Sequence, residues 1–102
     1  MFKKILIGYI AISEALFIHR DLKTANILIK NFGDPVIIDF GYCEMMMAKR
    51  PLIQYNVGSP SYMAPEVYYR SRYSEKGDVW SLGVILYEML TGQTLDNGLD
   101  MH

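Results

Sequence analysis

Apolar residues near the start of the chain recur at steps of three and four, the period of a helix that buries one face. Phe2, Ile5, Tyr9 and Ile12 follow this period, and polar residues, including two lysines, lie between them. The spacing predicts an amphipathic helix over about residues 2–15.

Two short aliphatic runs follow, at residues 27–29 and 36–38, and the segment between them is rich in turn-forming residues. Runs of this length on either side of an Asn–Gly–Asp–Pro turn predict a small β-hairpin. Residues 42–61 show no period, and we expect a long loop there. Compact domains keep loops of that length mainly for function.

A second helix is predicted over about residues 78–90, ending at Thr91 and Gly92. Its apolar residues cover nearly the whole circumference, so it should be buried on every side. One other helix and one hairpin supply too little cover for it, because isolated hairpins are marginally stable in water. The pattern therefore indicates the interior of a larger domain.

Composition and charge exclude several classes of partner. The chain has 102 residues, with 10 Lys and Arg against 11 Asp and Glu, and hence a net charge of −1. Without a broad basic field, we expect neither a nucleic acid nor an anionic membrane as partner. Cys43 is the only cysteine, so an internal disulfide is impossible and an intracellular, cytoplasmic location is expected.

Residue types suited to phosphoryl transfer lie around the predicted hairpin. Asn26 comes just before its first strand and Asp39 directly after its second, so the hairpin brings them together. Amide and carboxylate oxygens suit Mg²⁺. Asp21 could accept a proton from an attacking hydroxyl, and Lys23 adds positive charge for a transferring phosphoryl group. Together these roles indicate metal-assisted phosphoryl transfer.

Four motifs resemble those of eukaryotic-type serine/threonine protein kinases. They are HRDLKxxN at 19–26, DFG at 39–41, GSPSYMAPE at 58–66 and DVWSLG at 78–83. They are similar to the catalytic loop, the metal-binding triplet, the end of the activation segment and the start of the central helix of the large lobe. The resemblance covers nearly all of residues 1–92.

The resemblance implies an α+β fold: a mainly helical fragment of the large lobe, with a small β-hairpin and a long activation loop. On this interpretation the whole of residues 1–102 is a partial protein kinase domain.

The resemblance also assigns catalytic roles. Asp21 is the expected catalytic base, Asn26 and Asp39 are the expected Mg²⁺ ligands, and Lys23 is expected to contact the γ-phosphate of ATP. Ser59 occupies the position of a hydroxyl that bridges Asp21 and Lys23. The implied partners are therefore ATP, Mg²⁺ and a protein substrate.

Further residues have supporting roles by the same resemblance. Leu28 is expected to pack under the adenine ring. His19 and Phe40 are similar to members of a hydrophobic stack that links the two lobes, and His19 is interpreted as a packed histidine that does not titrate in catalysis. Gly41 completes the DFG triplet. Asp78 is expected to bond to backbone amides of the catalytic loop.

The regulatory expectations concern the activation segment. Arg20 would pair with a phosphorylated activation loop. Tyr55 lies where many relatives carry a phosphorylated threonine; it is either phosphorylated or packed by its ring, and we favour packing. The wording of the GSPSYMAPE segment is nearest to Unc-51-like and calcium/calmodulin-related kinases.

The sequence departs from the family pattern in three ways. The 102 residues contain no GxGxxG loop, no Val-Ala-x-Lys strand, and no Lys or Arg beyond Lys76 to pair with Glu66. We therefore expect the chain by itself to be inactive and poorly folded, with the apolar face of 79–90 exposed. Two alternatives stay open: a non-catalytic kinase-like module that acts by binding, and an incomplete gene model.

Overall fold

The computed structural model describes residues 1–31, 33–41, 43–45, 59–70 and 72–93. Within these residues there are three α-helices and four short strands, together with two 3₁₀ turns at Thr24–Asn26 and Pro60–Tyr62. In chain order the elements are α1 (Phe2–Glu14), β1 (Phe17–Ile18), β2 (Ile27–Lys30), β3 (Asp34–Ile37), β4 (Glu44–Met45), α2 (Pro65–Arg70) and α3 (Glu75–Thr91). The α+β fold class expected from the sequence is confirmed.

The first helix is confirmed nearly at its predicted length, since α1 ends one residue early. Its inner face packs against α3 and Leu22. Leu22 belongs to residues 19–26, the segment that resembles a kinase catalytic loop and is named the catalytic loop below. The shared core consists of Ile5, Tyr9, Leu22, Leu82 and Ile85. This cluster fixes the distance between the two long helices, and the catalytic loop runs beside it.

The hairpin is confirmed, with a shorter turn than the sequence predicted. Strands β2 and β3 pair antiparallel, with Leu28 opposite Val36, and Asp34 already belongs to β3. Asn31 and Gly33 have φ angles of 37° and 102°. These left-handed conformations allow a tight reversal, because glycine adopts positive φ without strain and asparagine tolerates it.

The segment predicted to be one long loop contains a strand. In β4, Glu44 lies opposite Ile18 and Met45 lies opposite Phe17 of β1. A two-residue strand is too short to produce a period in the sequence. The interior of this segment, residues 46–58, lies outside the described residues.

The second helix is confirmed and begins three residues before its predicted start. Ser74 is its N-cap, and the Ser74 hydroxyl accepts the N–H of Lys76. At the other end Gly92 has a φ of 74° and donates its N–H to the Glu88 carbonyl oxygen. Such side-chain and glycine caps satisfy backbone groups that a helix end leaves unpaired.

The two sides of α3 differ in cover. Its inner side is buried, including Asp78, Leu82 and Ile85. Val79 on the other side is 57% exposed and Leu90 is 77% exposed. The all-round burial that the apolar pattern calls for is therefore not met by the described residues, in line with the expectation of an uncovered face.

The short helix α2 was not predicted, because six residues are too few to show a helical period. Its Val67 packs in a second small core with Met63, Ala64 and Tyr73. None of the helices in the described residues has the length and apolar character that crossing a bilayer requires.

Candidate active site

The backbone of the catalytic loop is tied to the first turn of α3. Asp78 accepts the His19 N–H at Oδ2 (2.8 Å) and the Arg20 N–H at Oδ1 (3.0 Å). Arg20 has a φ of 74°, a region that L residues rarely adopt without support from their surroundings. Two hydrogen bonds to one carboxylate supply that support, so Asp78 has the amide contacts that the sequence led us to expect.

His19 links this loop to the segment that follows β3. The ring is completely buried, and its Nδ1 accepts the N–H of Asp21 at 3.1 Å. Nε2, 3.0 Å from the Ile38 carbonyl oxygen, must then be the protonated nitrogen that donates to it. The ring also lies 5.1 Å from that of Phe40, centroid to centroid. His19 is thus a packed histidine whose two ring nitrogens both have hydrogen-bond partners.

Polar side chains of the catalytic loop meet the hydroxyl of Ser59. Lys23 Nζ donates to Ser59 Oγ at 2.9 Å, and Ser59 Oγ is 3.4 Å from Asp21 Oδ1. Asn26 Nδ2 donates to the Asp21 carbonyl oxygen at 2.7 Å and lies 3.3 Å from Asp21 Oδ2. The fold therefore brings Asp21, Lys23, Asn26 and Ser59 into one hydrogen-bonded group, although 36 residues separate Lys23 from Ser59 in the sequence.

A backbone hydrogen bond between Ile38 and Asn26 connects the segment that carries Asp39 to this group. The Ile38 N–H donates to the Asn26 carbonyl oxygen at 2.8 Å, which places the residue after Ile38 at the start of β2. Asp39 has a φ of 62°, and its Oδ1 is 3.4 Å from the N–H of Gly41. A Cβ at position 41 would lie only 3.3 Å from that oxygen. Glycine there gives the carboxylate room.

The donor atoms in this corner fit Mg²⁺. Asn26 uses its amide nitrogen on Asp21, which leaves its amide oxygen as the atom for a cation, and the Asp39 carboxylate is exposed. Hard oxygen ligands, few from the protein and the rest from phosphate and water, are typical of magnesium. Within the part of the chain that the structure describes, no three His, Cys, Asp or Glu side chains cluster to hold a metal ion.

Leu28, Glu66 and Arg20, which were also singled out from the sequence, lie within the described residues. Leu28 is 54% exposed on β2, and Glu66 is exposed in the first turn of α2. The guanidinium carbon of Arg20 lies 4.9 Å from the centre of the Tyr73 ring. Tyr55 lies outside the described residues.

A second polar group beside the site was missed at the sequence level. Tyr62 Oη donates to the Glu88 carboxylate (2.9 Å to Oε2), and Thr24 Oγ1 donates to Glu88 Oε1 at 3.1 Å. Burial, followed by the hydrogen bond to Glu88, raises the pKa of the Tyr62 phenol. Glu88 did carry a signal, because it is the only charged residue between Val79 and Leu90.

The chain is similar to known proteins over most of its length. The family model described as protein kinase domain matches residues 1–100. The serine/threonine-protein kinase CLA4 of Eremothecium gossypii is 47% identical over 76 residues, 74% of this chain and 10% of the relative. SKM1 of Saccharomyces cerevisiae is 47% identical over 76 residues, 74% of this chain and 12% of that kinase. The shk1/pak1 kinase of Schizosaccharomyces pombe is 43% identical over 94 residues, 89% of this chain and 14% of the relative.

These relatives set the limits of the assignment. The chain spans only about a tenth of their length. None of these three carries an Unc-51-like or calmodulin-related name, so the narrower resemblance of the GSPSYMAPE segment is not supported by them. Asp21, Lys23 and Asn26 form one hydrogen-bonded group with Ser59, and the protein kinase family model covers residues 1–100. The chain therefore belongs to the protein kinase domain family.

Proposed function

We propose that this chain supplies the catalytic centre of a serine/threonine protein kinase, and that the protein containing it transfers the γ-phosphoryl group of Mg·ATP to serine and threonine hydroxyls. The observation that carries the proposal is the hydrogen-bonded series from Lys23 through Ser59 to Asp21. It supports a site in which the proposed base, Asp21, lies beside the positive charge of Lys23. The relatives are named serine/threonine-protein kinases, which supports the choice of serine and threonine over tyrosine.

Asp21 is proposed as the base. As the substrate oxygen bonds to the γ-phosphorus, the bond from that phosphorus to its bridging oxygen breaks and ADP leaves. The hydroxyl proton passes to the Asp21 carboxylate, which Ser59 and Asn26 hold in place. Lys23 lies two residues from Asp21 and supplies positive charge beside the transferring group.

Asn26 and Asp39 are proposed to hold Mg²⁺, and Leu28 is proposed to pack against the adenine ring of ATP. The bound ion would neutralise charge on the phosphate oxygens. The exposed side chain of Leu28 on β2 gives a flat base an apolar surface. An intracellular location, Arg20 as a phosphate-binding residue, and the packing or phosphorylation of Tyr55 stay predictions.

The test is phosphoryl transfer by the whole protein, with labelled ATP, Mg²⁺ and a mixture of serine, threonine and tyrosine peptides. The wild type should label serine and threonine peptides. Asp39→Asn should lower the rate by roughly 10²-fold, because one electrostatic contact to the reacting group is lost. Asp34→Asn, which changes an exposed aspartate on β3, is the matched control and should have no effect.

Two other outcomes would contradict the proposal. If the whole protein neither transfers phosphate nor binds Mg·ATP, it is the non-catalytic binding module. If it labels only tyrosine, the substrate class is wrong.

The 102 residues by themselves should give no labelling above that of the same chain carrying Asp39→Ala.

A further inference from the structure

The hydroxyl of Tyr9 is a buried polar group that the proposed reaction does not use. Tyr9 is 6% exposed, and its ring packs with Leu22 and Leu82 in the core between α1 and α3. Its hydroxyl donates to Asp78 Oδ2 at 2.9 Å across 69 residues of sequence. A phenylalanine ring would fill the same space, so packing does not account for the hydroxyl.

Asp78 is the residue on which this hydroxyl acts. Asp78 is 2% exposed, and an ionised carboxylate is stable at that depth only when donors satisfy its oxygens. Burial raises the pKa of the Asp78 carboxyl, whereas the hydrogen bonds from His19, Arg20 and Tyr9 lower it. Burial and the neighbouring Asp78 charge raise the pKa of the Tyr9 phenol, which therefore keeps its proton and stays a donor.

The path from Asp78 to the proposed base is short. The same Oδ2 that accepts the Tyr9 hydroxyl accepts the His19 N–H, and Oδ1 accepts the Arg20 N–H. Arg20 is in the left-handed region and directly precedes Asp21. A carboxylate that shifts or rotates would therefore release the backbone that directly precedes Asp21.

We propose that Tyr9 is a positioning residue, which acts through Asp78 to hold the backbone of His19 and Arg20, and with it the carboxylate of Asp21. The catalytic part of this inference rests on the proposed kinase function. The backbone part does not depend on it, because the hydrogen bonds are those of the protein without substrate.

The first test is hydrogen–deuterium exchange on the whole protein and its Tyr9→Phe variant. The amides of His19 and Arg20 should exchange about tenfold faster in the variant, while those of residues 82–88 in α3 stay unchanged. Tyr87→Phe, which removes a hydroxyl from a partly exposed ring on α3, is the matched control. Unchanged exchange at His19 and Arg20, or equal acceleration in the loop and α3, would overturn the proposal and leave Tyr9 a core residue only.

The second test is steady-state kinetics, with rates divided by the concentration of nucleotide-binding sites. This normalisation corrects for any fraction of the variant that is unfolded. Tyr9→Phe should lower kcat by roughly tenfold and leave KM for ATP and peptide within about twofold, because a misplaced base slows the chemical step. An unchanged kcat would overturn the catalytic part. A wild-type protein that transfers no phosphate would instead contradict the proposed function, and the exchange experiment would still decide the role of Tyr9.

Discussion

Two carboxylates on α3, Asp78 and Glu88, contact the catalytic loop in different ways. Asp78 is buried in the first turn and accepts two backbone N–H groups and one phenol. Glu88 is half-buried about 15 Å farther along the helix. Among the described residues, its hydrogen-bond donors are side-chain hydroxyls, those of Tyr62 and Thr24. Asp78 therefore fixes the course of the loop, whereas Glu88 joins the loop to the segment that carries Ser59.

Burial and the kind of donor should make these carboxylates unequal. A backbone amide cannot turn to another partner, so losing its acceptor leaves a buried donor unsatisfied. The hydroxyls of Tyr62 and Thr24 lie nearer to solvent, and water can replace their acceptor at lower cost. We expect changes at Asp78 to reduce both stability and activity, and changes at Glu88 to act mainly on the activation segment.

The largest stability effect is expected for Asp78→Asn. Both oxygens of Asp78 accept a backbone N–H, so an amide in either orientation would turn its NH₂ group toward one of those donors. The free energy of unfolding should fall by about 3 kcal/mol, measured by calorimetry of the kinase-domain transition. Glu75→Gln, at an exposed acid in the same turn, is the control. If Asp78→Asn lowered the free energy of unfolding as little as Glu75→Gln does, Asp78 would not have the structural role that sets it apart from Glu88.

A smaller effect is expected at the second carboxylate. Glu88→Gln and Tyr62→Phe should each lower the free energy of unfolding by about 1 kcal/mol, because each weakens the same partly solvated hydrogen bonds. Because they share those bonds, the double variant should lose about 1 kcal/mol less than the sum of the two. Full additivity would show that Tyr62 and Glu88 are not coupled.

The smallest expected effect on stability appears only at alkaline pH. It comes from Tyr9 and Tyr62, the phenols that are hydrogen-bonded to Asp78 and Glu88. The pKa values of Tyr9 and Tyr62 are both raised. Above a pH of about 10 the unfolded phenols ionise while the folded ones keep their protons, so stability falls as pH rises. The melting temperature against pH should drop less steeply in Tyr62→Phe than in the wild type. Tyr69→Phe, at a 65% exposed ring, should leave the slope unchanged, and a rising wild-type stability would contradict the sign.

The parts of the fold predicted from the sequence are those with a repeated pattern. α1, α3 and the hairpin each extend far enough for a period or a pair of aliphatic runs to be visible. The strands β1 and β4 have two residues each, and α2 has six. Elements that short are fixed by contacts with the rest of the chain, and sequence patterns do not report those contacts.

The candidate site divides in a similar way. Asp21, Asn26 and Asp39 could be singled out as candidates because their residue types and spacing match a chemical task. Tyr9 was hidden, because it occupies an apolar position of a regular helix and its hydroxyl finds a partner only in the folded protein. Glu88 was visible as a lone charge in an apolar helix, but its partners lie 26 and 64 residues away. Only the fold brings them together.

The most direct test of the catalytic assignment is a single-turnover measurement of phosphoryl transfer by the whole protein carrying Asp21→Asn. We expect a rate about 10²–10⁴-fold below that of the wild type, because the proposed base is lost. The affinity for Mg·ATP should stay within about twofold, since Asn26 and Asp39 are unchanged. A variant that transfers phosphate as fast as the wild type would show that Asp21 is not the catalytic base.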